Sequence, residues 1–166
     1  MQHTIYLGLG SNLGDRRRHL QEAVQLLREQ MEVLRLSSVY DTAPMLVTDQ
    51  PRFLNMVCSA STPFPPEYLL TRLKLIEREL GRVAGPRYGP RVIDIDLLLY
   101  DELVFDSPAL TVPHPRILER AFVLVPLAEI APELEHPVVH RTIAGLMHDC
   151  AGTDVVKLGP LFTPGA

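Results

Sequence analysis

Two aspartates, Asp94 and Asp96, stand one residue apart in the run VIDIDLLLY, residues 92–100. In a strand, residues two apart point to the same side, so Ile93 and Ile95 face a core while the two carboxylates project together. Parallel carboxylates at that spacing repel unless a cation lies between them. Hard oxygen ligands suit Mg²⁺, which commonly uses one or two carboxylates and leaves its other positions to water and phosphate. The preceding loop, residues 82–91, holds Arg82, Arg87 and Arg91 and no acidic residue. Arginine forks neutralise phosphate oxygens that a metal leaves uncovered. Two readings stand: a basic loop beside surface acids, or a polyphosphate site. Gly85, Pro86, Gly89 and Pro90 favour the second, because such a loop can close over a ligand.

Other residues invite chemistry less strongly. His114 is pinned between Pro113 and Pro115, as a phosphate donor or as a plain turn residue. His136 and His140 have helical metal-ligand spacing, but Pro137 makes a continuous helix doubtful there, which argues against zinc. Phe53 and Phe122 are core residues by default. Asn55, two residues from Phe53, points the same way. An aromatic and an amide on one face can hold a flat heterocycle by stacking and edge hydrogen bonds. The turn GLGSNLGD, residues 8–15, first reads as a phosphate cradle opening a helix. Its spacing is Gly-x-Gly-x-x-x-Gly, not the dinucleotide Gly-x-Gly-x-x-Gly, although Asp41 is placed like a ribose-binding acid. No GxxxxGK[ST] occurs, which excludes a P-loop kinase.

These residues need elements to hold them. Residues 3–9 alternate and read as a strand. Leu20, Ala23, Val24, Leu27 and Met31 mark one face of a helix over 15–31. Residues 33–42 read as a second strand, Pro44 and Pro51 bracket a loop, and 52–62 read as a third strand. Pro65 and Pro66 open a helix with apolar face Leu69, Leu70, Leu73, Ile76 and Leu80, ended by Gly81. Residues 92–100 are the fourth strand. Strand-helix-strand-strand-helix-strand is the α+β ferredoxin-like split βαβ fold, a four-stranded antiparallel sheet with both helices on one face. A doubly wound dinucleotide fold would need a helix between the second and third strands. Residues 101–166 read as short elements: a hairpin near 102–112, helices near 115–121 and 141–148, and an irregular tail from about 159.

The bulk numbers set limits. A chain of 166 residues favours a single domain over 1–166, and 46% hydrophobic residues suffice for a core. A net charge of −4 argues against coating nucleic acid. No apolar run is long enough to span a membrane, and the N-terminus lacks a signal-peptide layout. With only Cys58 and Cys150, neither a disulfide framework nor a metal cluster is expected, and the expected setting is cytoplasmic. Fourteen arginines accompany only Lys74 and Lys157, a bias that suits phosphate but that genome composition also produces.

GSN after the first strand, DQPRFLN at 49–55, GRV with GPRVIDIDLLLY at 81–100, and LTVPHP with RAFVLVPLAEIAPEL to residue 134 occur in order. Together they resemble the 6-hydroxymethyl-7,8-dihydropterin pyrophosphokinase family of folate biosynthesis, over about residues 5–135. The resemblance implies a ferredoxin-like enzyme that transfers pyrophosphate from ATP to the pterin hydroxymethyl group and releases AMP. It implies that Asp94 and Asp96 hold two Mg²⁺ ions and that Asp94 also borders the pterin. Arg82 and Arg91 match phosphate-contacting, catalytic arginines. Arg87 and Tyr88 match a basic-aromatic pair in the loop, and His114 and Arg120 match further ATP-site residues. Glu77, Leu97 and Thr111 match nucleoside contacts. Phe53 and Phe122 match the rings that sandwich the pterin, Asn55 reads its edge, and Thr42, Pro44 and Leu46 complete that wall. Ala84 stands where some relatives carry arginine, the loop is one residue shorter, and Pro115 replaces an aromatic. The partners implied are ATP and the pterin, with no nucleic acid or membrane, and a monomer or homodimer. Gly8 and Gly10 are then expected to let the first strand approach the pterin pocket, with Ser11 and Asn12 tying down the turn and Asp15 at the positive end of the helix.

Overall fold

The computed structural model describes residues 1–44, 49–81, 92–150 and 154–163. The expected order of elements is present: β1 (His3–Ser11), α1 (Arg16–Gln30), β2 (Glu32–Leu36), β3 (Val39–Thr42), β4 (Phe53–Thr62), α2 (Pro66–Glu79) and β5 (Asp94–Tyr100). The short strands β6 (Phe105–Asp106) and β7 (Thr111–Val112) form the expected hairpin. Then come α3 (Ala121–Ile130), α4 (Ile143–Asp149) and β8 (Val155–Gly159).

The main sheet runs β5-β1-β4-β3-β8, with β2 also on β4, and every strand pairing among the described residues is antiparallel. That pattern rules out the doubly wound dinucleotide fold, which rests on parallel strands. No helix among the described residues is long and apolar enough to cross a membrane.

The sheet has six strands where the sequence predicts four, for two reasons. The predicted strand 33–42 is broken at Ser37-Ser38. The Ser37 hydroxyl accepts the Val57 amide at 2.9 Å and donates to the Ser38 carbonyl at 2.8 Å, so a side chain enters the ladder and the strand resumes as β3. The second reason is β8, which adds to β3 from the segment read as short elements. Of the residues after it, 160–163 are irregular yet docked. Leu161 is 2% exposed in the core, and Arg17 and Gln21 of α1 donate to carbonyls of Pro160 and Leu161.

The helix predicted near 115–121 is a correction. Residues 117–119 make one 3-10 turn, and the real helix is α3, ten residues long. Pro126 lies inside it and leaves the Phe122 carbonyl without its helical donor. Burial of Val123, Leu124, Leu127, Ala128 and Ile130 outweighs that loss.

Parity along the strands sorts the residues onto two faces. Leu7, Leu9, Met56, Cys58, Ile95 and Leu97 pack with α1 and α2 in one core. Val57 and Leu98 pack with α3 and α4 in a second, on the opposite face. The expected helix pair therefore covers one side, and the C-terminal helices cover part of the other.

Candidate active site

The site lies on the α3 face, where two glycines of β1 leave a bare strip. Across the sheet, Tyr40, Asn55, Gly10 and Asp94 are in register, and so are Val57, Gly8 and Asp96. Neighbouring strands are about 4.8 Å apart, so β4 and β5 flank a floor about 10 Å across. A Cβ on Gly10 would stand 2.5 Å from Asn55 Oδ1 and 3.6 Å from Phe53 Cδ1, so both side chains overhang this floor. Asn55 Nδ2 donates to Thr42 Oγ1 at 2.6 Å, which fixes the amide in place. On the far side stand Asp94 and Asp96, both half-buried and on one face, while Ile93 and Ile95 turn into the core as expected.

The donors here suit a Mg²⁺–polyphosphate: two carboxylates of hard oxygen on one strand, with no third acidic, thiol or imidazole group completing a closed cage among the described residues. Glu77 of α2 is 6% exposed and accepts the Ile95 amide at 2.7 Å. It thus holds the open edge of β5 between the two aspartates. Leu97 is 3% exposed and faces the α1–α2 core, so a ligand on the glycine floor can meet its backbone but not its side chain. Thr111 donates its hydroxyl to Asp106 at 2.9 Å within the hairpin.

Beyond β5, the His114 amide donates to the Leu98 carbonyl at 2.9 Å, bringing the histidine close to the carboxylate strand. The peptide bond between Val112 and Pro113 is cis. Burial, then the charges of Arg120 and Arg116, lower the imidazole to a pKa of about 4, so it is neutral at pH 7. Its Nδ1 accepts the Arg116 amide at 3.2 Å, which assigns the proton to Nε2 as a donor. Arg120 lies over the Phe122 ring, 5.4 Å from its centroid. Its Nε is buried and meets no acceptor among the described residues. A buried cationic donor without a partner is costly, and an anionic ligand would satisfy it.

Phe53 and Phe122 are both half-buried rather than core residues; Phe122 begins α3 on the same face as Asn55. Thr42 is buried beside Asn55, and Pro44 is half-buried at the end of β3. Leu46, Arg82, Arg87, Tyr88 and Arg91 lie outside the described residues.

The glycine turn proves to be a clamp. Asn12 Nδ2 donates to Gln50 Oε1 at 2.9 Å and to the Pro51 carbonyl at 3.1 Å, and Arg16 donates to the Arg52 carbonyl at 2.8 Å. These bonds hold the residues immediately before Phe53. Asp15 caps α1 by accepting the Arg18 amide at 3.2 Å. Arg52 reaches Asp41 and makes a two-bond fork with Asp154 at 2.6 and 2.8 Å, so Asp41 is spent on an ion pair rather than held out for a ribose. The sequence offers the buried Asn12 as a signal for this clamp. The targets of Arg16 and Arg52 are distant in sequence and leave no local trace.

Comparison with known proteins shows the family and the fold. The model of the family "7,8-dihydro-6-hydroxymethylpterin-pyrophosphokinase" matches residues 6–132. The 2-amino-4-hydroxy-6-hydroxymethyldihydropteridine pyrophosphokinase of Aquifex aeolicus is 41% identical over 140 residues, covering 84% of this chain and 88% of that protein. A folic acid synthesis protein of Pneumocystis carinii is 42% identical over 159 residues. The chain spans only 22% of that longer relative. A crystal structure of Plasmodium falciparum HPPK-DHPS with pteroate superposes with a TM-score of 0.73 over 89% of this chain and 42% of that one. At 17% identity that match carries the fold alone. The chain belongs to the 7,8-dihydro-6-hydroxymethylpterin-pyrophosphokinase family.

Proposed function

We propose that this chain, as a single catalytic domain, transfers the pyrophosphoryl group of ATP to 6-hydroxymethyl-7,8-dihydropterin. The hydroxymethyl oxygen bonds to the β-phosphorus, the bond from that phosphorus to the α,β-bridging oxygen breaks, the hydroxyl proton is lost, and AMP leaves. The observation that carries the reading is the glycine floor with paired carboxylates on one side and the fixed Asn55 amide on the other. Asp94 and Asp96 would hold Mg²⁺, two ions with ATP, which supplies charge neutralisation along the polyphosphate and acidifies the attacking hydroxyl.

The chain's own residues do the positioning on which this class of reaction depends. Asn55, with Thr42 behind it, reads the heterocycle edge, and Phe53 and Phe122 stack its faces, with Pro44 and Leu46 as the rest of the wall. Neutral His114 donates from Nε2 to a phosphate oxygen, and Arg120 Nε gains the acceptor it lacks among the described residues. Arg82, Arg87, Tyr88 and Arg91 close over the phosphates. Thr111, the Leu97 backbone and the β5 edge held by Glu77 meet the nucleoside. No side chain is assigned as general base, because a carboxylate on a metal is a weak one. The buried Cys58 thiol fits a reducing, cytoplasmic setting, and the active unit is a monomer or a homodimer.

The test is a coupled AMP-release assay with ATP, Mg²⁺ and the hydroxymethyl pterin. AMP and pterin diphosphate should form in equal amounts. ADP as the nucleotide product, or no release, would overturn the proposal.

A further inference from the structure

Glu129 sits in the last turn of α3, the wrong end of a helix for an anion, since the C-terminal carbonyls repel it. Its surroundings compensate. Oε1 accepts the Ser38 amide at 3.0 Å and the Tyr40 hydroxyl at 2.6 Å, and Oε2 accepts the Ser38 hydroxyl at 2.9 Å. Lys157 of β8 approaches Oε2 at 4.0 Å. Burial alone would raise this carboxyl, but the bonds from Tyr40 and Ser38 and the Lys157 charge bring it below its ordinary range. One turn-end neighbour adds to the grip: Arg35 of β2 donates to the Ile130 carbonyl at 2.7 Å. The weak link of α3, Pro126, lies between this anchor and the helix start.

Two facts tie the anchor to the proposed site. Phe122 precedes Glu129 by seven residues, nearly two turns, so the two share one helix face about 10 Å apart along the axis. Tyr40, the phenol that Glu129 holds, is the register partner of Asn55 in β4, and Thr42 on the same strand fixes the Asn55 amide. A rotation of α3 by about 20° would swing a ring lying about 6 Å from the axis by about 2 Å. A stacking slot does not tolerate that shift.

We propose that Glu129 is a positioning residue for the pterin slot: its carboxylate locks the rotation of α3 against β3 and so sets Phe122 at its distance from the Asn55–Thr42 wall. This rests on the pterin-site reading above. Glu129 touches neither substrate.

The experiment uses the full chain and the variants Glu129→Ala, Glu129→Gln and Tyr40→Phe. Pterin and a non-hydrolysable ATP analogue with Mg²⁺ are titrated separately by calorimetry, alongside kcat, KM and thermal melting. Loss of a charge-assisted bond and a shift of this size should weaken pterin binding about tenfold in Glu129→Ala and Tyr40→Phe. The ATP analogue should bind within about twofold of the wild type. Glu129→Gln, which keeps an acceptor for the Tyr40 hydroxyl, should recover part of the loss. Equal losses for both ligands, or a lower melting temperature with unchanged pterin affinity, would overturn the assignment. Should Glu129→Ala fail to fold, Tyr40→Phe, which removes one hydroxyl, decides alone. A wild type that releases no AMP refutes the function reading; an active wild type with variants of normal pterin affinity refutes only this one.

Discussion

Replacing Gly10 with alanine separates a glycine kept for its backbone from one kept for the space above it. Gly10 is not in the left-handed region of backbone space, so alanine can adopt its conformation. The new Cβ would stand 2.5 Å from Asn55 Oδ1, about 1 Å inside an ordinary contact of ~3.5 Å. Asn55 cannot retreat freely, because its Nδ2 is bonded to Thr42 Oγ1 at 2.6 Å. The amide therefore turns away and that bond breaks, costing about 1 kcal/mol. Alanine also stiffens the unfolded chain, which returns about 0.4–1 kcal/mol. The two nearly cancel, so the melting temperature should move by no more than about 4 °C.

Pterin binding should not be spared. If Asn55 supplies two hydrogen bonds to the heterocycle, losing both and leaving ligand groups unpaired costs about 3 kcal/mol, roughly a hundredfold in Kd. Gly8→Ala is the control, since its Cβ would meet Leu98 at 3.5 Å, an ordinary contact, and should leave folding intact. Calorimetric titration of each variant with pterin, beside thermal melts, measures both quantities. A Gly10→Ala protein that binds pterin within about threefold of the wild type would refute the reasoning that Gly10 makes room for Asn55.

Asp96→Ala should abolish AMP formation in a folded protein, a loss of several kcal/mol of transition-state stabilisation; near-normal turnover would remove the metal assignment. Phe122→Ala should weaken pterin far more than an ATP analogue in calorimetry, and equal losses would count against the sandwich. His114 should titrate near pH 4 in an NMR experiment on the unliganded protein. The unfolded chain takes up this proton near pH 6.5, so stability is unaffected above 6.5 and falls as pH drops toward 4, by about 3 kcal/mol at most. An imidazole titrating at 6.5 would contradict the buried, Arg-flanked setting. Leu161→Ala should cost about 2–5 kcal/mol in urea unfolding, because the side chain is core rather than tail; a loss below about 1 kcal/mol would show that the tail is not docked.

What was legible in the sequence is what local periodicity encodes. The α1 face of Leu20, Ala23, Val24 and Leu27 is buried as the spacing requires, and Asp94 and Asp96 share a face because strand alternation leaves no other choice. The breaks from expectation are long-range. Ser37 interrupts a strand only because the Val57 amide, twenty residues away, is there to be accepted. The Pro126 in α3 and the Pro132 after it argue against a helix, and only burial against the sheet, invisible in a window of ten residues, overrides that signal. β8 has a strand-like sequence, Val-Val-Lys-Leu-Gly, but its partner β3 lies more than a hundred residues earlier.

The helix starts of α3 and α1 differ in how well each would suit the phosphates of the proposed function. At α1 the glycine turn delivers a helix N-terminus, the usual anion seat, but Asp15 already occupies it with a carboxylate bonded to the Arg18 amide. A second anion there would meet a fixed negative charge. The side chains after it, Arg16 and Arg17, turn away to carbonyls of Arg52, Pro160 and Leu161. At α3 the N-cap residue Arg120 gives no side-chain cap, and its buried Nε meets no acceptor among the described residues, near a neutral His114 whose proton is on Nε2. Charge and hydrogen-bond supply thus favour the anion at the α3 end, next to the carboxylate strand. The Gly8–Gly10 strip does a separate job. In the proposed site it would keep the floor low enough for a flat ligand between Asn55 and Asp94, so the residue type that looks like a phosphate loop in the sequence would line the pterin floor instead.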